Sequence, residues 1–434
     1  MEQLLSVLPP LCGVPRLWVA YSGGCDSHVL LHALWQLRDQ LPPISVIHID
    51  HGLQAESAAW AGHCQRVCEA LGLDCVVQRV DAQPRSGKSP EDIARHARYQ
   101  AFSDVAAEDE LVCLAHHQDD QAETFLLQLL RGAGPKGLGA MAVQSCRLSL
   151  TLIRPLLAFS REELEAYARD NGLKWIDDPS NAETDYRRNF LRHRIFPTLK
   201  ARWPAANKVI ARSAAHCAEA AEMLEDLASQ DFEAVMSFDV ACLSVERLLM
   251  LSVARQKNVL RYWLRRQGLP LPSEAKLRHV MSDVLRARVD GQSCVRWSGG
   301  EVRRFRGDLY AQRPVEMLQC VTFGAILEYG VDLDLPDGSV LHWKEGLSHL
   351  AIDFEKLTNK ELVIRYRQGS ETCRPAGQPH RRSLKNLFQE AGVAPWLRDR
   401  CPLVYAGDEL VAIVGVCVAD GWQSEFGVGW EWMR

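Results

Sequence analysis

Four short apolar runs rich in β-branched residues recur early in the chain, about 30 residues apart. They lie at residues 17–21, 44–49, 75–77 and 111–115. Each run is followed by a stretch with helical spacing, and strands that alternate with helices are typical of a parallel sheet covered on both faces. The pattern predicts a doubly wound α/β fold, in which ligands bind at the carboxyl ends of the strands.

The pattern changes after about Pro204. Residues 205–268 are rich in Ala and Leu with helical spacing, and residues 294–306 contain a Gly-Gly turn that predicts a hairpin. Later alternating runs, at 362–366 and 410–414, favour a small α+β domain. We therefore predict three domains: an α/β catalytic domain at 1–205, a mainly helical domain with a hairpin at 206–314, and a small α+β domain at 315–434.

The composition is that of an ordinary globular protein. Of 434 residues, 47% are hydrophobic and 24% charged, with a formal net charge of −5, which excludes wholesale disorder. No apolar run approaches the roughly 18 residues of a membrane span, and the N-terminus lacks the pattern of a secretory signal. The 14 cysteines show no framework spacing. We therefore expect reduced thiols, a cytoplasmic location and no membrane association.

Basic residues cluster in two later segments. Residues 255–313 carry 14 Lys+Arg against five Asp+Glu, and residues 365–400 carry eight against three. Such segments on an acidic protein indicate a polyanion partner, although an ordinary solvated surface also explains them. Tyr262 and Trp263 lie among the first set at helical spacing, which favours a place in the core over a base-stacking role.

The strongest motif lies between the first predicted strand and the helix that follows it. It consists of Ser22, Gly23, Gly24, Cys25, Asp26 and Ser27. Two glycines let the backbone turn tightly and approach an anion, and the helix N-terminus behind them favours phosphate. The two hydroxyls add donors, and Asp26 can hold Mg²⁺ against phosphates. The motif predicts a phosphate site without the Walker A pattern, and the alternative is a capped Gly-rich turn.

A second cluster follows the fourth strand and opens a helix. It contains His116, His117, Asp119, Asp120 and Glu123. Asp119 and Asp120 lie four and three residues before Glu123, so the acids share one face of the helix. That face could hold Mg²⁺ or a cationic amino group. Two alternatives remain: the acids only stabilise the N-terminus of the helix through its dipole, or the histidines and acids form a transition-metal site. The buried side of the helix is expected to consist of Phe125, Leu126, Leu129 and Leu130.

The Gly-Gly loop resembles the SGGxDS loop of the PP-loop ATP pyrophosphatases. That superfamily cleaves ATP between the α- and β-phosphates and activates a substrate oxygen as an adenylate. The resemblance implies Mg²⁺ on Asp26. It also implies that ATP is bound by Ser22, Gly23, Gly24, Cys25, Asp26, Ser27 and Asp50.

Further motifs resemble, in the same order, those of the bacterial tRNA(Ile)-lysidine synthetases. They lie at residues 48–53, 94–99, 115–124, 131–138, 154–157, 177–181 and 186–192. The resemblance is strong over about the first 200 residues. Residues 369–396 resemble the terminal domain of that family, whereas the helical middle matches only in character and position.

This resemblance implies a two-step reaction. ATP adenylates the C2 oxygen of the wobble cytidine in an isoleucine tRNA with a CAU anticodon, and the ε-amine of free lysine then displaces AMP to give lysidine. Asp120 and Glu123 would receive the lysine ammonium. Arg98 would stabilise charge on the transferred adenylyl group. Arg188 and Arg192 would contact phosphate of ATP or tRNA.

Two other hypotheses about the function remain. The tRNA-thiolating members of the superfamily share the loop but generally need a Cys-x-x-Cys pair, and the sequence contains none: Cys64 and Cys68 are four residues apart. A non-catalytic tRNA-binding protein could retain an inactive ATP fold. The presence of Asp26, Asp120 and Glu123 argues against that reading, since an inactive site need not keep them.

Overall fold

The computed structural model describes residues 8, 11, 13–52, 56–80, 90–179, 183, 186–237, 242–287, 293–314, 325–327, 330–336, 338–345, 351–353, 356, 361–424 and 427–433. The chain divides into two compact units, Met1–Leu227 and Ala228–Arg434.

The first unit contains a six-stranded sheet in the order β3-β2-β1-β4-β6-β5. Its strands are β1 (Leu17–Ala20), β2 (Ile44–Asp50), β3 (Asp74–Arg79), β4 (Leu111–Cys113), β5 (Gln144–Arg147) and β6 (Leu150–Ile153). The pairs β1–β2, β2–β3, β1–β4 and β4–β6 are parallel, which confirms the predicted fold class. The edge strand β5 is antiparallel to β6 and was not predicted from the sequence.

Helices cover both faces of this sheet, because the strands are apolar on both sides. Leu17 and Val19 pack in the core beneath α1, whereas Trp18, between them, packs in a second core that contains Tyr99 and Phe102 of α3. The helices that begin in this unit are α1 (Cys25–Gln36), α2 (Ser57–Leu71), α3 (Pro90–Val105), α4 (Gln118–Leu130), α5 (Pro135–Leu138), α6 (Arg161–Asp170), α7 (Arg187–Phe190), α8 (Phe196–Arg202) and α9 (Ala206–Val235).

A π-helix at Leu191–Ile195 joins α7 to α8, so that the three segments form one continuous helical run. The N–H of Phe196 donates to the carbonyl oxygen of Leu191, five residues earlier. Pro197, at the start of α8, has no N–H, and its ring would clash with the carbonyl four residues before it. The wider π turn relieves that clash.

The second unit begins with helices and a four-stranded antiparallel sheet, in the order β7-β10-β9-β8. The predicted hairpin is confirmed: Trp297 pairs with Gly300 across a turn at which Gly299 has φ +82°. Trp263 is fully buried in the core of this part, as predicted. The elements are β7 (Leu243–Ser244), α10 (Val245–Met250), α11 (Val253–Arg266), α12 (Glu274–His279), a π-helix (Val280–Val284), β8 (Cys294–Trp297), β9 (Gly300–Phe305) and β10 (Asp308–Gln312).

The remaining elements form three small antiparallel sheets with two short helices. The sheet orders are β11-β14-β17-β18-β19, β12-β13-β20 and β15-β16. The elements are β11 (Ala325–Ile326), β12 (Leu333–Asp334), β13 (Val340–Glu345), β14 (Leu362–Arg365), β15 (Thr372–Cys373), β16 (Arg382–Ser383), α13 (Leu384–Glu390), α14 (Pro395–Arg398), β17 (Leu403–Ala406), β18 (Glu409–Ile413), β19 (Cys417–Val418) and β20 (Val428–Met433). The alternating runs at 362–366 and 410–414 correspond to β14 and β18. The three-domain division stays a prediction.

Within the described part of the chain, no helix combines the length and the apolar character that a membrane span requires. The twelve cysteines of the described residues are all free thiols.

Candidate functional site

The Gly-Gly loop joins β1 to α1 at the carboxyl edge of the sheet. Gly23 has φ +85°, and a Cβ there would lie 2.7 Å from Cδ1 of Ile176, so both backbone and space require glycine. No side chain caps the N-terminus of α1, so its first N–H groups are available to an anion. The hydroxyl oxygens of Ser22 and Ser27 lie 3.0 Å apart beside them.

A cavity of about 470 Å³ opens over this loop. Its lining includes Ser22, Gly24, Cys25, Asp26, Ser27, Asp50, Arg98, His116, Arg161 and Arg192. Of the other predicted site residues, Gly23, Asp120, Glu123 and Arg188 lie outside the lining. Among the motif residues, Leu53, Ser180 and Asn181 lie outside the described part of the chain.

Asp26 has one oxygen engaged and one without a partner. Its Oδ2 accepts a hydrogen bond of 2.6 Å from Nη1 of Arg161 and lies 3.6 Å from Nε2 of His117. Its Oδ1 is buried and has no hydrogen-bond partner among the described residues. Asp50 differs, because its Oδ1 accepts from the N–H of Gly52. An unpartnered carboxylate oxygen of a residue that lines the cavity suits a hard divalent cation.

The acidic face of α4 is closed by two guanidinium groups. Glu123 is only 1% exposed, and Arg192 reaches both of its oxygens, through Nε at 2.8 Å and Nη2 at 3.1 Å. Arg188 adds a contact of 3.1 Å to the same carboxylate, and Arg192 also donates to Asp120. Such pairing is what allows two carboxylates to stay charged when buried.

The two carboxylates differ in pKa. Burial raises the pKa of Glu123, and the charge of Arg192 opposes that change without cancelling it. Burial acts in the same direction on Asp120, but the charges of His117, Arg188 and Arg192 hold the pKa of Asp120 below its ordinary value. The pair therefore combines one readily ionised acid with one that holds a proton more tightly.

The prediction that Leu129 and Leu130 lie on the buried side of α4 is wrong. Leu129 is 50% exposed and Leu130 is 77% exposed, whereas Asp120, Ala122 and Glu123 are the buried residues of this helix. The reason is that the ion pairs, and not apolar packing, cover the acidic side of the helix. A hydrophobic pattern alone cannot reveal such a face.

His117 connects the loop with the acidic pair. Its Nδ1 accepts from the N–H of Asp119, and its Nε2 lies 3.6 Å from Asp26 and 3.5 Å from Asp120. Burial lowers the pKa of His117, but the carboxylates of Asp120 and Asp26 outweigh burial and raise it overall. The histidine therefore couples the charge of the loop to that of the pair.

His116 has the opposite character. Burial lowers the pKa of His116 to about 3, so its ring is neutral at physiological pH. Among the described residues, no cluster of three or more His, Cys, Asp or Glu side chains could hold a metal ion. The alternative of a transition-metal site at the histidine pair is therefore not supported there.

Arg161 is a site residue that the sequence reasoning missed. It lies at the first position of α6, directly after the capping Ser160, and contacts both Asp26 and Glu165. A cation in the first turn of a helix is disfavoured by the helix dipole. That unfavourable placement, next to a clear capping box, was the available signal.

The C-terminal basic clusters are partly neutralised within the second unit. Arg255 pairs with Asp231, and Arg261 pairs with Glu274. In the later cluster, Arg382 pairs with Glu390. The excess of positive charge in the sequence therefore overstates the free charge that these segments present.

The fold and the loop together define a PP-loop enzyme, and comparison with known families agrees. Residues 2–199 match the model of the PP-loop domain. Residues 243–310 match the TilS substrate binding domain, and residues 362–432 match the TilS substrate C-terminal domain.

Similar proteins extend over almost the whole chain. The tRNA(Ile)-lysidine synthase of Coxiella burnetii (strain RSA 493 / Nine Mile phase I) is 39% identical, over 99% of this chain and 95% of its own. That of Pseudomonas fluorescens (strain Pf0-1) is 40% identical, over 99% and 95%. The chain belongs to the tRNA(Ile)-lysidine synthase family. Among solved structures, the U34-tRNA thiolase NcsA from Methanococcus maripaludis is 18% identical, with a TM-score of 0.43 over 50% of this chain and 77% of that one.

We predict that Arg192→Gln lowers the free energy of unfolding by about 2 kcal/mol, because the buried Glu123 loses two charged hydrogen bonds and keeps only Arg188. The measurement is urea denaturation followed by circular dichroism. The matched control is Arg194→Gln, two residues away and exposed, for which we expect a change within about 0.5 kcal/mol.

We predict that the stability effect of Arg192→Gln depends on pH. Loss of Arg192 raises the pKa of Glu123 further above its ordinary value of 4.5. A group whose pKa is raised on folding loses stability as the pH rises through its folded-state pKa. The stability deficit of the variant relative to the wild type therefore grows once the pH exceeds the raised pKa that Glu123 has in the wild type, which lies above 4.5. A deficit that shrinks between pH 5 and pH 8, measured with the same variants, would contradict this assignment.

Proposed function

We propose that this protein ligates free lysine to C2 of the wobble cytidine in an isoleucine tRNA with a CAU anticodon, at the expense of ATP. The observation that carries the proposal is the position of the Gly-Gly loop beside a buried acidic pair. His117 contacts both Asp26 and Asp120, and Arg192 pairs with both acids and lines the cavity over the loop. One arrangement can therefore serve a nucleotide and an amine. Membership of the tRNA(Ile)-lysidine synthase family supports this assignment.

The first step joins tRNA to AMP. The C2 oxygen of cytidine attacks the α-phosphorus of ATP, and the bond to the leaving pyrophosphate breaks. The N–H groups at the start of α1, with the hydroxyls of Ser22 and Ser27, would hold the pyrophosphate. Arg98 and Arg161 line the same cavity and would stabilise the negative charge that develops on the phosphates.

Mg²⁺ would be held by Asp26, whose Oδ1 has no partner among the described residues. Mg²⁺ usually binds through one or two carboxylates together with substrate phosphates, so a single protein carboxylate fits it. When bound, this ion would offset phosphate charge and orient the triphosphate. Arg161 would then keep Glu165 as its protein partner while it turns towards phosphate.

The second step transfers lysine. Its ε-nitrogen attacks C2 of the adenylated cytidine, the C2–O bond breaks, and AMP leaves with that oxygen. Asp120 and Glu123 would receive the ammonium in place of, or beside, the guanidinium of Arg192. The ammonium must lose a proton to become nucleophilic. The raised pKa of Glu123 suits a carboxylate that accepts this proton.

We also propose a cytoplasmic enzyme with three domains, divided near residues 205 and 314, whose two later domains help to position tRNA. A PP-loop thiolase is the second candidate from sequence, but the chain contains no Cys-x-x-Cys pair. A non-catalytic tRNA-binding protein would have no need for the pairing of Asp26 with Arg161 or for a buried acidic pair.

One assay tests the function as a whole. Purified protein is incubated with ATP, Mg²⁺, CAU-anticodon isoleucine tRNA and labelled lysine. We expect label in the tRNA, with release of AMP and pyrophosphate. Pyrophosphate release without label in the tRNA would support ATP cleavage by the PP-loop domain but would contradict the transfer of lysine to this tRNA. Binding of tRNA without ATP cleavage would indicate a non-catalytic protein.

We predict that Asp26→Asn lowers tRNA-dependent pyrophosphate release by about a hundredfold or more, because it removes charge that would hold Mg²⁺ against the phosphates. The matched control is Glu165→Gln, which removes the other acid that contacts Arg161. If Asp26 served only to position Arg161, the two variants would lose activity equally, and excess Mg²⁺ would rescue neither.

We predict that Glu123→Gln raises the KM for lysine by at least about tenfold, because a charged hydrogen-bond acceptor for the ammonium is lost. Adenylation of tRNA, followed as pyrophosphate release without lysine, should be retained in part. The control is Glu162→Gln, an exposed acid that pairs with Lys200. An unchanged lysine KM with lost adenylation would show that Glu123 serves the nucleotide and not the lysine.

A further inference from the structure

The helical run that closes the acidic pair belongs to a strongly basic segment. Residues 186–212 contain eight Lys+Arg and no Asp or Glu. Three of these cations pair with acids of other elements: Arg188, Arg192 and Lys200. The other five are exposed and form no ion pair with the described residues: Arg187, Arg194, Arg202, Lys208 and Arg212.

Exposed residues recur along this run at every fourth position. They are Tyr186, Phe190, Arg194, Thr198 and Arg202, which we call the outer stripe. Residues four apart are neighbours on a helix surface, and the run from α7 to α8 is continuous. The stripe is therefore one connected surface, about 24 Å long at 1.5 Å per residue.

Its two aromatic rings lie in solvent. Tyr186 is 42% exposed and Phe190 is 47% exposed, and Trp203, directly after the stripe, is 61% exposed. A single exposed apolar side chain needs no explanation, but three aromatic side chains within eighteen residues beside unpaired cations form a recognisable combination. Cations that follow a backbone, with aromatic rings on which bases stack, are the features that bind single-stranded nucleic acid.

We propose that the outer stripe binds unpaired nucleotides of the anticodon loop, with Arg194 and Arg202 on phosphates and Phe190 stacked on a base. This proposal rests on the proposed function and adds to it an RNA surface within the catalytic unit itself. The charge of the segment favours a polyanion as its partner, because a basic segment without acids attracts phosphates and has no carboxylate to pair with a basic partner.

The position of the outer stripe suits the binding of an anticodon loop from which one base is rotated towards the site. The opposite side of the same helical run carries Arg188 and Arg192 to the acidic pair, and Arg192 lines the cavity. A helix is about 10 Å wide. An RNA loop along the stripe therefore lies one helix width from the site, and a nucleotide rotated out of the loop would cross that width.

The first test measures binding of a fluorescein-labelled anticodon stem-loop RNA with a CAU loop, by fluorescence anisotropy over a range of salt concentrations. The full-length double variant Arg194→Gln/Arg202→Gln is compared with the wild type. Each phosphate contact on a single strand contributes about 0.7 to the slope of log Kd against log salt, so we expect the slope to fall by about 1.4.

The matched control is Arg66→Gln/Arg169→Gln, which removes the same charge from exposed positions on α2 and α6. We expect a smaller change in the salt slope for this control. Equal slopes for the two double variants would mean that only net charge matters, and that result would overturn the proposal.

A second pair of variants tests stacking. Phe190→Leu keeps an apolar side chain but removes the ring, and we expect it to weaken stem-loop binding by about fivefold or more. Phe190→Tyr keeps the ring and should bind as the wild type does. A duplex with the same stem and no loop should not distinguish the variants; if Phe190→Leu weakens duplex and stem-loop binding equally, the surface does not read unpaired nucleotides.

The lysine incorporation assay separates the two proposals. If the wild type binds the stem-loop through the stripe but incorporates no lysine into tRNA, the proposed function fails and the RNA surface stands. If the wild type incorporates lysine and the stripe variants match their controls in Kd and in the KM for tRNA, the stripe proposal fails and the function stands.

Discussion

The arrangement of the site depends on the neutralisation of two buried carboxylates by two arginines. Asp120 and Glu123 lie on the buried side of α4, where an unpaired charge would be too costly to keep. Arg188 and Arg192 reach them from the helical run that follows, so this contact also fixes the position of that run against the sheet. His117 then carries the influence of the pair to the Gly-Gly loop. Loop, acidic pair and helical run are therefore parts of one electrostatic unit.

Much of this fold could be predicted from periodicity. The four apolar runs became β1 to β4 because both faces of a parallel sheet are covered, which makes its strands uniformly apolar and easy to recognise. Strand β5 escaped prediction because its hairpin turns through Leu148 and Ser149, both at positive φ. Asn-Gly or Gly-Gly usually marks such a turn. The hairpin at Gly299, which carries that signal, was predicted.

Local motifs predicted most residues of the candidate site, but neither Arg161 nor the pairing of the charged residues. Five of the six loop residues from Ser22 to Ser27, all except Gly23, line one cavity together with Asp50 and Arg98. The contact between Asp26 and Arg161 joins residues 135 positions apart, and no local pattern encodes such a distance. The acidic face of α4 shows the same limit, because its burial depends on arginines more than 60 positions away in the chain. Sequence pattern indicates which side chains are chemically suited to a site, whereas long-range pairing decides how they are used.

The charge inventory of the cavity has a thermodynamic consequence. Among the described residues, six carboxylates and four guanidinium groups line the cavity or belong to the acidic pair and its ion pairs. They are Asp26, Asp50, Asp120, Glu123, Asp177 and Asp178, and Arg98, Arg161, Arg188 and Arg192. A triphosphate that enters such a site alone adds negative charge to an existing excess. A divalent cation or the ammonium of an amino acid would reduce that excess, so each cation would increase the affinity for the nucleotide. Linkage would then require the nucleotide to increase the affinity for each cation by the same factor. Under the proposed function, the nucleotide and the two cations would therefore bind with positive heterotropic coupling that originates in charge balance, and the affinity for each ligand would depend on the occupancy of the other subsites.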